Sequence, residues 1–225
     1  MFSKVVFIKI SIIIPAYHES NINTFLNNLP TVDEVIVVDG DGRSSLDLIE
    51  NSYICKLSSK KGRANQMNEG AKYATSDILL FLHADTLLPH NALAQINEAL
   101  REEGIVAGAF DLDFKTQKKS LKFIAKVASW RSRKTRLPYG DQAIFIKKEI
   151  FERVGGYENI ALMEDVNLMQ KLKKENLKIK ILNQKVLTSP RKYEQNGIIF
   201  NVLRNWFLIS LYFLGVNPNK LAKLY

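Results

Sequence analysis

Three short apolar runs, each followed at once by polar side chains, restrict most strongly what this chain can fold into. They lie at Lys9–Ile14, Glu34–Asp39 and Ile78–His83 and are rich in Ile, Val and Leu. Strands buried on both faces show such near-continuous runs, whereas strands with one solvated face alternate apolar and polar residues. The runs therefore predict a parallel sheet that is covered on both sides.

Segments with helical spacing lie between these runs. Arg63–Ala74, for example, repeats small or apolar residues every three or four positions. The other predicted strands are Tyr53–Leu57, Ile105–Phe114, Ala143–Ile146 and Lys178–Leu182, and the other predicted helices are Asn21–Leu29, Pro89–Leu100, Leu121–Arg131, Met163–Lys174 and Gly197–Leu214. Such alternation predicts an α/β fold with a mostly parallel, twisted, Rossmann-like sheet and helices on both faces.

Polar side chains follow three of the predicted strands. Ligands of open α/β sheets bind outside the carboxyl ends of the strands. Here those ends are Pro15–Glu19, Asp39–Asp41 and His83–Asp85, and all three carry acids or other polar groups. The sequence therefore predicts a ligand site at this edge of the sheet.

Composition excludes several classes of protein. The chain has 225 residues, of which 46% are hydrophobic and 24% charged, so disorder, collagen and coiled coil are not predicted. Cys55 is the only cysteine, which excludes a disulfide scaffold and an all-cysteine zinc site and is typical of a reducing compartment. No stretch reaches the ~18 uninterrupted apolar residues of a membrane span.

No internal repeat or low-complexity linker divides the chain. We therefore predict one domain over 1–225, with a ligand-binding half at 1–105, a catalytic half at 106–193 and a helical tail at 194–225. The apolar run Val5–Ile14 follows Lys4, but no cleavage site of small residues comes after it. A buried strand explains the run better than a signal peptide, and a cytoplasmic location is predicted.

Positive charge is concentrated in one segment. The net charge of +9 equals the nine basic residues that lie between Asp113 and Asp141, where no acid occurs. They are Lys115, Lys118, Lys119, Lys122, Lys126, Arg131, Arg133, Lys134 and Arg136. Such a segment predicts an anionic partner: a phosphate-bearing substrate, a membrane surface or nucleic acid.

Six motifs occur in an order that resembles a known enzyme family. They are IIIPAYHES, EVIVVDGDGRSS, GRANQMNEG, DILLFLHADT, GDQAIFIKKEIFERVGGY and MEDVNLMQKL, between Ile10 and Tyr193. Together they resemble family 2 glycosyltransferases with the A-type nucleotide-sugar fold. FLHADT and the small size are most similar to the compact bacterial subgroup described as radical-SAM/selenodomain-associated glycosyltransferases. The resemblance implies inverting transfer of a sugar from a nucleotide-diphosphate donor to an acceptor hydroxyl.

The resemblance implies a divalent cation, Mn²⁺ or Mg²⁺, at His83–Asp85. The family usually has Asp-x-Asp here, and a hard cation with oxygen ligands neutralises the departing diphosphate. Asp85 matches the second Asp, His83 replaces the first, and Ala84 between them belongs to the donor site. Imidazole suits manganese better than magnesium. The alternative is that His83 ends a strand and Asp85 caps the next helix.

The first two strand ends form the nucleotide pocket in this resemblance. Pro15 and Tyr17 would flank the base or ribose, Glu19 would reach the ribose, and Asp39 the base edge, with Asp41 beside it. Carboxylates accept hydrogen bonds from ribose hydroxyls and ring N–H groups. The alternative for each acid is a turn or helix cap.

A basic turn precedes the helix at Arg63. Arg63 would grip the diphosphate, since a helix N-terminus and a guanidinium both suit phosphate. The alternative is a solvated turn.

Catalysis is assigned by the resemblance to Asp165 in MEDVNLMQKL. An inverting transfer needs a general base opposite the leaving group. Glu164, Asp141, Gln142 and Arg191 would lie on the acceptor side. The alternative is that Glu164 and Asp165 only favour a helix N-terminus electrostatically.

Two other functions compete with this interpretation. A nucleotidyltransferase shares the sheet type, but a Gly-rich phosphate loop would follow its first strand, where PAYHES stands here. A basic binding module without catalysis would explain the charged segment, yet it shows no nucleic-acid motif.

The last apolar segment, Ile198–Val216, has two interpretations. Either it is a core helix that closes the sheet, or it lies in the membrane interface with Lys115–Arg136 facing anionic lipid. The second would bring the enzyme to the cytoplasmic face of the membrane and to a lipid-linked acceptor.

Overall fold

Seven strands form one twisted sheet in the computed structural model, which describes residues 8–225. The strands are β1 Ile10–Ala16, β2 Glu34–Asp39, β3 Cys55–Ser58, β4 Ile78–Phe81, β5 Ile105–Phe114, β6 Ile144–Lys147 and β7 Lys178–Thr188. Their order is β3-β2-β1-β4-β6-β5-β7. Neighbours are parallel except β6, which is antiparallel to β4 and β5.

Helices cover both faces of this sheet. They are α1 Ile22–Leu26, α2 Arg63–Tyr73, α3 Ala92–Arg101, α4 Lys119–Thr135, α5 Lys148–Arg153, α6 Glu164–Lys174, α7 Arg191–Asn196, α8 Ile198–Phe213 and α9 Pro218–Leu221. One apolar cluster joins the sheet to α1, α3 and α4, and another joins it to α2, α5 and α6. The predicted α/β fold is confirmed.

The direction of the strands gathers many segments at one edge. The carboxyl ends of β1, β2, β4, β5 and β7 meet there, because these strands run the same way. Strand β6 runs oppositely, so its amino end and the preceding 3-10 turn, Gly140–Gln142, lie at the same edge. Residues far apart in sequence are thereby brought together.

Close approach of α2 to the sheet depends on Gly70. A Cβ atom at this position would lie 2.5 Å from Ile13 Cγ2, so a larger residue would push the helix away. The N-terminus of α2 is thereby held at the functional edge.

Most predicted elements are present, and several bounds differ. β2 and β5 match the predicted bounds, whereas β7 runs on to Thr188 because it pairs with β5 along its length. Helices α5, α7 and α9 were not predicted. Val5–Phe7, the start of the apolar run, lie outside the described residues. The division into halves and tail stays a prediction.

The interpretation of α8 as a core helix is wrong. Only Asn201 and Leu208 of its residues are buried. Its exposed side chains include Ile199, Phe200, Leu203, Trp206, Phe207 and Phe213. Within residues 8–225, no helix combines the length and the apolar character needed to cross a membrane.

Candidate active site

A cavity of about 300 Å³ opens at the carboxyl edge of the sheet. Five side chains predicted from sequence line it together: Arg63, His83, Asp85, Asp141 and Asp165. They come from α2, the segment after β4, the turn before β6, and α6. Charged groups of both signs thus share one partly enclosed space.

His83 is held in its neutral form. Burial and the nearby Arg63 guanidinium lower its pKa to about 4, against the opposing effects of Asp85 and Asp165. The ring leaves no room beside Gly140, where a Cβ atom would lie 2.9 Å from His83 Nε2. A neutral imidazole keeps one nitrogen lone pair available for a metal.

Asp85 is exposed to the cavity and anchored on one oxygen. The hydroxyls of Thr86 and Thr188 lie 3.2 and 3.5 Å from Asp85 Oδ1. Among the residues described, no partner is found for Oδ2. This geometry orients the carboxylate and leaves an oxygen free for a ligand.

The donor set at His83 and Asp85 suits a divalent cation that is completed by substrate. No three metal-capable side chains converge anywhere in the described part of the chain. Mg²⁺ and similar ions are commonly held by one or two protein ligands, with phosphate oxygens and water supplying the rest. The two side chains are therefore compatible with the implied metal.

Asp165 lies at the start of α6 and is fixed by backbone donors. The Gly140 N–H donates to Asp165 Oδ2 at 2.6 Å, and the Val166 N–H donates to Oδ1 at 2.7 Å. Each carboxylate oxygen has a second lone pair, so the group can still accept a proton from a hydroxyl. Its place in the cavity is compatible with the base predicted from sequence.

Asp141 is a third carboxyl group in the cavity. Burial raises its pKa from 3.8 to about 6; Arg131 opposes the shift, and the charges of Asp165 and Asp85 add to it. Its Oδ1 atom is buried without a hydrogen-bond partner among the described residues. Ionisation of Asp141 therefore lowers the free energy of unfolding.

Asp141→Asn is expected to stabilise the folded protein in a pH-dependent way. A raised pKa in the folded state means that ionisation opposes folding, an effect absent below about pH 4 that grows up to about pH 6. The variant should thus gain up to about 3 kcal/mol at pH 8 and little at pH 4. Thermal unfolding at both pH values measures this, and a gain that is equal at both would contradict it.

Glu164 contacts Arg63, and its predicted place on the acceptor side stays a prediction. Its carboxylate is almost fully buried and accepts from Arg63 Nε at 2.9 Å. Burial raises its pKa to about 7, against the effect of Arg63. Glu164 therefore positions the guanidinium that lines the cavity.

Gln142 lies in the turn before β6. It is fully buried, with Oε1 accepting from the Ser132 hydroxyl and the Tyr139 N–H, while Nε2 donates to the Phe110 carbonyl. Both polar atoms of its side chain are engaged, so Gln142 shapes this turn; its predicted place on the acceptor side stays a prediction.

The proposed nucleotide end is built from three loops. Lys61 Nζ lies 4.3 Å from the centre of the Tyr17 ring and donates to the Tyr17 hydroxyl at 2.8 Å. The ring of His18 packs edge-on against Tyr17, and His18 Nδ1 lies 2.5 Å from Asp41 Oδ2. Tyr17 is 40% exposed, so its ring offers a face to a base.

Asp39 is fully buried beneath this platform. Its oxygens accept from the Asp41 and Ser45 N–H groups, at 3.0 and 2.7 Å. It thereby holds the loop that carries Asp41. A direct contact with the base edge stays a prediction, as does the contact of Pro15, which is partly buried at the end of β1.

Glu19, Arg191 and Ala84 are not among the residues that line the cavity. Burial raises the pKa of Glu19, Arg191 opposes this shift, and Asp85 adds to it. The charges of Glu19, Arg191 and Asp85 therefore lie near one another. Ala84 packs against the apolar core. Their predicted contacts with substrate stay predictions.

Tyr17→Ala is expected to weaken nucleoside diphosphate binding roughly 5- to 150-fold, because base–aromatic stacking contributes about 1–3 kcal/mol. Tyr53→Ala is the matched control, since Tyr53 is 94% exposed and lies outside these loops. Calorimetric titration with GDP and UDP compares them. An equal effect of both variants would remove Tyr17 from the base site.

Several residues of the cavity were missed by sequence reasoning. They are Phe114, Tyr139, Leu162, Met163, Thr188, Lys192, Tyr193, Asn201, Asn205, Leu208 and Tyr225. Asn201, Asn205 and Leu208 share one face of α8, and their spacing of four and three residues was the available signal. The C-terminal helices therefore form a wall of the cavity.

Comparison with known proteins identifies the family. The family model described as "Glycosyl transferase family 2" matches residues 11–157. The chain belongs to this family. The matched range ends before Asp165 and the C-terminal helices.

A solved structure supports the same fold. A mannosyltransferase from Pyrobaculum calidifontis, "PcManGT", in complex with GDP-Man and Mn²⁺, superposes with a TM-score of 0.63 at 20% sequence identity. The match covers 81% of this chain and 57% of that one, so the chain spans little more than half of that protein's length. Among curated proteins, no significant sequence match was found.

Proposed function

We propose that this glycosyltransferase inverts the transferred sugar and uses a divalent cation, with Asp165 as the general base. One observation supports this most: His83 and Asp85, the predicted cation ligands, share a cavity of about 300 Å³ with Arg63 and Asp165. The predicted metal ligands, the Arg63 guanidinium that would bind phosphate, and the predicted base lie on separate elements of the fold. Glycosyl transfer needs all three in one space.

The side chains divide the work as follows. Arg63, held on Glu164, binds the donor diphosphate and orients it. Asp165 accepts the proton of the acceptor hydroxyl while that oxygen forms a bond to the anomeric carbon and the bond from this carbon to the diphosphate breaks. A cation at His83 and Asp85 would supply charge neutralisation for the departing diphosphate.

Donor identity is tested with a panel of nucleotide sugars, each with Mn²⁺, Mg²⁺ or EDTA. GDP-mannose is included because the structurally similar mannosyltransferase was solved with GDP-Man. We expect one of these donors to be hydrolysed slowly when a cation is present, so that the sugar is transferred to water and nucleoside diphosphate is released. A nucleotidyltransferase would release pyrophosphate from a nucleoside triphosphate and a sugar phosphate, and a binding module would release neither. The assignment to the selenodomain-associated subgroup belongs to this proposal.

We further propose that the enzyme contacts the cytoplasmic face of the membrane. The outer face of α8 is apolar and exposed over Ile199–Phe213, including Trp206. Phe123 and Trp130 are exposed on α4, next to basic residues. Apolar helix faces with aromatic residues and neighbouring lysines favour an anionic membrane interface.

Only part of the basic segment is available for lipid. Lys115 donates to the Asp85 carbonyl, Arg131 stacks on Tyr139, and three others form ion pairs, Lys118 with Glu194, Lys122 with Asp113 and Arg133 with Asp111. Lys119, Lys126 and Lys134 are exposed on α4. These three are the residues to test.

We expect the protein to float with anionic vesicles at low salt. At high salt a smaller bound fraction should remain. Surface charges are screened within about 10 Å at 0.1 M salt, whereas apolar insertion is not. Replacing Lys119, Lys126 and Lys134 by Gln should remove the salt-sensitive part. Replacing Leu203, Trp206 and Phe207 by Ser should remove the remainder. A folded protein that fails to float at low salt, or that dimerises through α8 without floating, contradicts the membrane contact.

A further inference from the structure

Met163, the residue before α6, has a strained backbone. Its φ and ψ angles are 66° and 22°, in the left-handed region that is uncommon for residues other than glycine. Such a conformation persists only where the surrounding structure imposes it. The neighbours of Met163 must therefore hold it in place, and a change in their packing would let its backbone relax.

The two residues after Met163 have different partners in the cavity. Glu164 accepts from Arg63 Nε at 2.9 Å, and Asp165, the predicted base, accepts from the Gly140 N–H at 2.6 Å. The dihedral angles of Met163 set the direction in which α6 begins, because the backbone of each residue has only these two soft torsions. The places of both carboxylates therefore depend on the conformation of Met163.

Apolar side chains of the C-terminal helices pack against this residue. Leu208 of α8 and Leu221 of α9 form a buried cluster with Leu162, and Met163 lies against this cluster while it also lines the cavity. Protein interiors are close-packed, so the loss of a buried side chain lets its neighbours shift. The cluster therefore restricts the conformations that are open to Met163.

A hydrogen bond from α9 holds the same loop two residues earlier. Asn219 Oδ1 accepts from the Ala161 N–H at 3.0 Å. Asn219 is itself fixed at the start of α9, where its N–H donates to Asn217 Oδ1 at 2.8 Å. Polar and apolar contacts of α9 thus hold residues 161–163 directly before the acidic pair.

We propose that Leu221 is a positioning residue for the predicted base: with Leu208 it holds Met163 in its left-handed conformation and so sets the directions of Glu164 and Asp165. The inner side of the C-terminal helices then serves the reaction as well as enclosing the cavity. This inference rests on the proposed function, in which Asp165 is the general base and Arg63 binds the diphosphate.

A matched control separates positioning from stability alone. Replacing a buried leucine by alanine destabilises a protein wherever that leucine lies in the core. Leu100 of α3 is buried like Leu221, but it belongs to the apolar cluster that joins the sheet to α1, α3 and α4. Leu100→Ala therefore removes the same atoms as Leu221→Ala from a part of the core that does not include Met163.

The test measures hydrolysis of the nucleotide sugar that the wild type accepts, because water then takes the place of the acceptor and Asp165 is still the base. kcat and the donor KM are determined for Leu221→Ala, Leu100→Ala and Leu221→Met, at a temperature at which each variant is folded by thermal unfolding. If an alanine variant does not fold, Leu221→Val and Leu100→Val replace the pair, since valine removes less of the side chain.

We expect Leu221→Ala to lower kcat roughly 10- to 100-fold, because a misplacement of about 1 Å at the reacting groups can cost a factor of about 10². The donor KM should change far less, since Tyr17, His83 and Asp85 lie outside α6 and α9. Leu221→Met should restore kcat, because it nearly conserves the volume of the side chain. Leu100→Ala should lose stability and keep kcat near that of the wild type.

Four results would overturn the inference. They are an unchanged kcat in Leu221→Ala, an equal loss of kcat in Leu100→Ala, no restoration by Leu221→Met, or a change in the donor KM alone, which would assign the cluster to donor binding. A wild type that hydrolyses no nucleotide sugar would instead contradict the proposed function, and the inference with it. The two failures are therefore distinguishable.

Discussion

Asp165→Asn is expected to reduce glycosyl transfer by roughly 10²–10⁴-fold, while the donor still binds. The substitution keeps the shape of the side chain but removes the group that accepts the acceptor's proton. Donor binding should survive because the predicted cation ligands and Arg63 lie on other elements. Transfer rates and calorimetric donor affinity, measured on the same preparation, separate the two effects.

The backbone contacts of Asp165 require a folding control. Both oxygens accept N–H groups, from Gly140 and Val166, so the amide of asparagine must turn one N–H toward another. Thermal unfolding shows how much stability this costs. Glu149→Gln is the matched control, because Glu149 is also an acid in the first turn of a helix but is exposed outside the cavity. Equal losses of donor binding and transfer would make Asp165 structural or a metal ligand.

The sheet could be predicted from the sequence because each buried strand is recognisable from its own consecutive residues. Each buried strand carries its apolar run in a few consecutive residues, and Glu34–Asp39 has the same bounds in sequence and structure. The strand ends followed from the same runs, and the shared edge followed from parallel pairing. The positions of His83 and Asp85 at this edge could therefore be predicted from the sequence.

The orientation of neighbouring side chains was not predictable in this way. Glu164 and Asp165 are consecutive at the start of α6, and successive helical residues point about 100° apart. One contacts Arg63 and the other Gly140. The sequence shows an acidic pair but cannot tell which member faces the cavity, because that depends on how α6 packs. The same limit applies to Gln142, whose partners come from β5 and α4.

The role of α8 depended wholly on tertiary contacts. Its apolar residues are distributed almost around the helix, which is compatible with a core position as well as with an interface. In the structure Asn201 and Leu208 are buried, whereas most of the large apolar residues, including Ile199, Leu203 and Trp206, are exposed. A helix that buries polar residues against a cavity and exposes apolar ones reverses the usual pattern of a globular protein. That reversal supports the proposed membrane contact.

Asp85→Ala is expected to abolish the metal dependence of nucleoside diphosphate binding. Asp85 is the predicted carboxylate ligand, and His83 alone offers a single nitrogen at this site. Wild-type protein should bind GDP or UDP more tightly with Mn²⁺ than with EDTA. In the variant this difference should disappear, while any metal-independent binding through Tyr17 and Arg63 remains. Calorimetric titration in both conditions measures the change directly.

Asp77→Ala provides the matched control for this experiment. Asp77 precedes β4 at its amino end, whereas Asp85 follows its carboxyl end, so the two acids flank one strand at opposite edges of the sheet. Both variants remove one negative charge and one exposed carboxylate. If the residue acts through the cation, only the Asp85 variant loses the response to Mn²⁺. If both variants keep it, the diphosphate is neutralised by other groups and the cation assignment at His83–Asp85 is wrong.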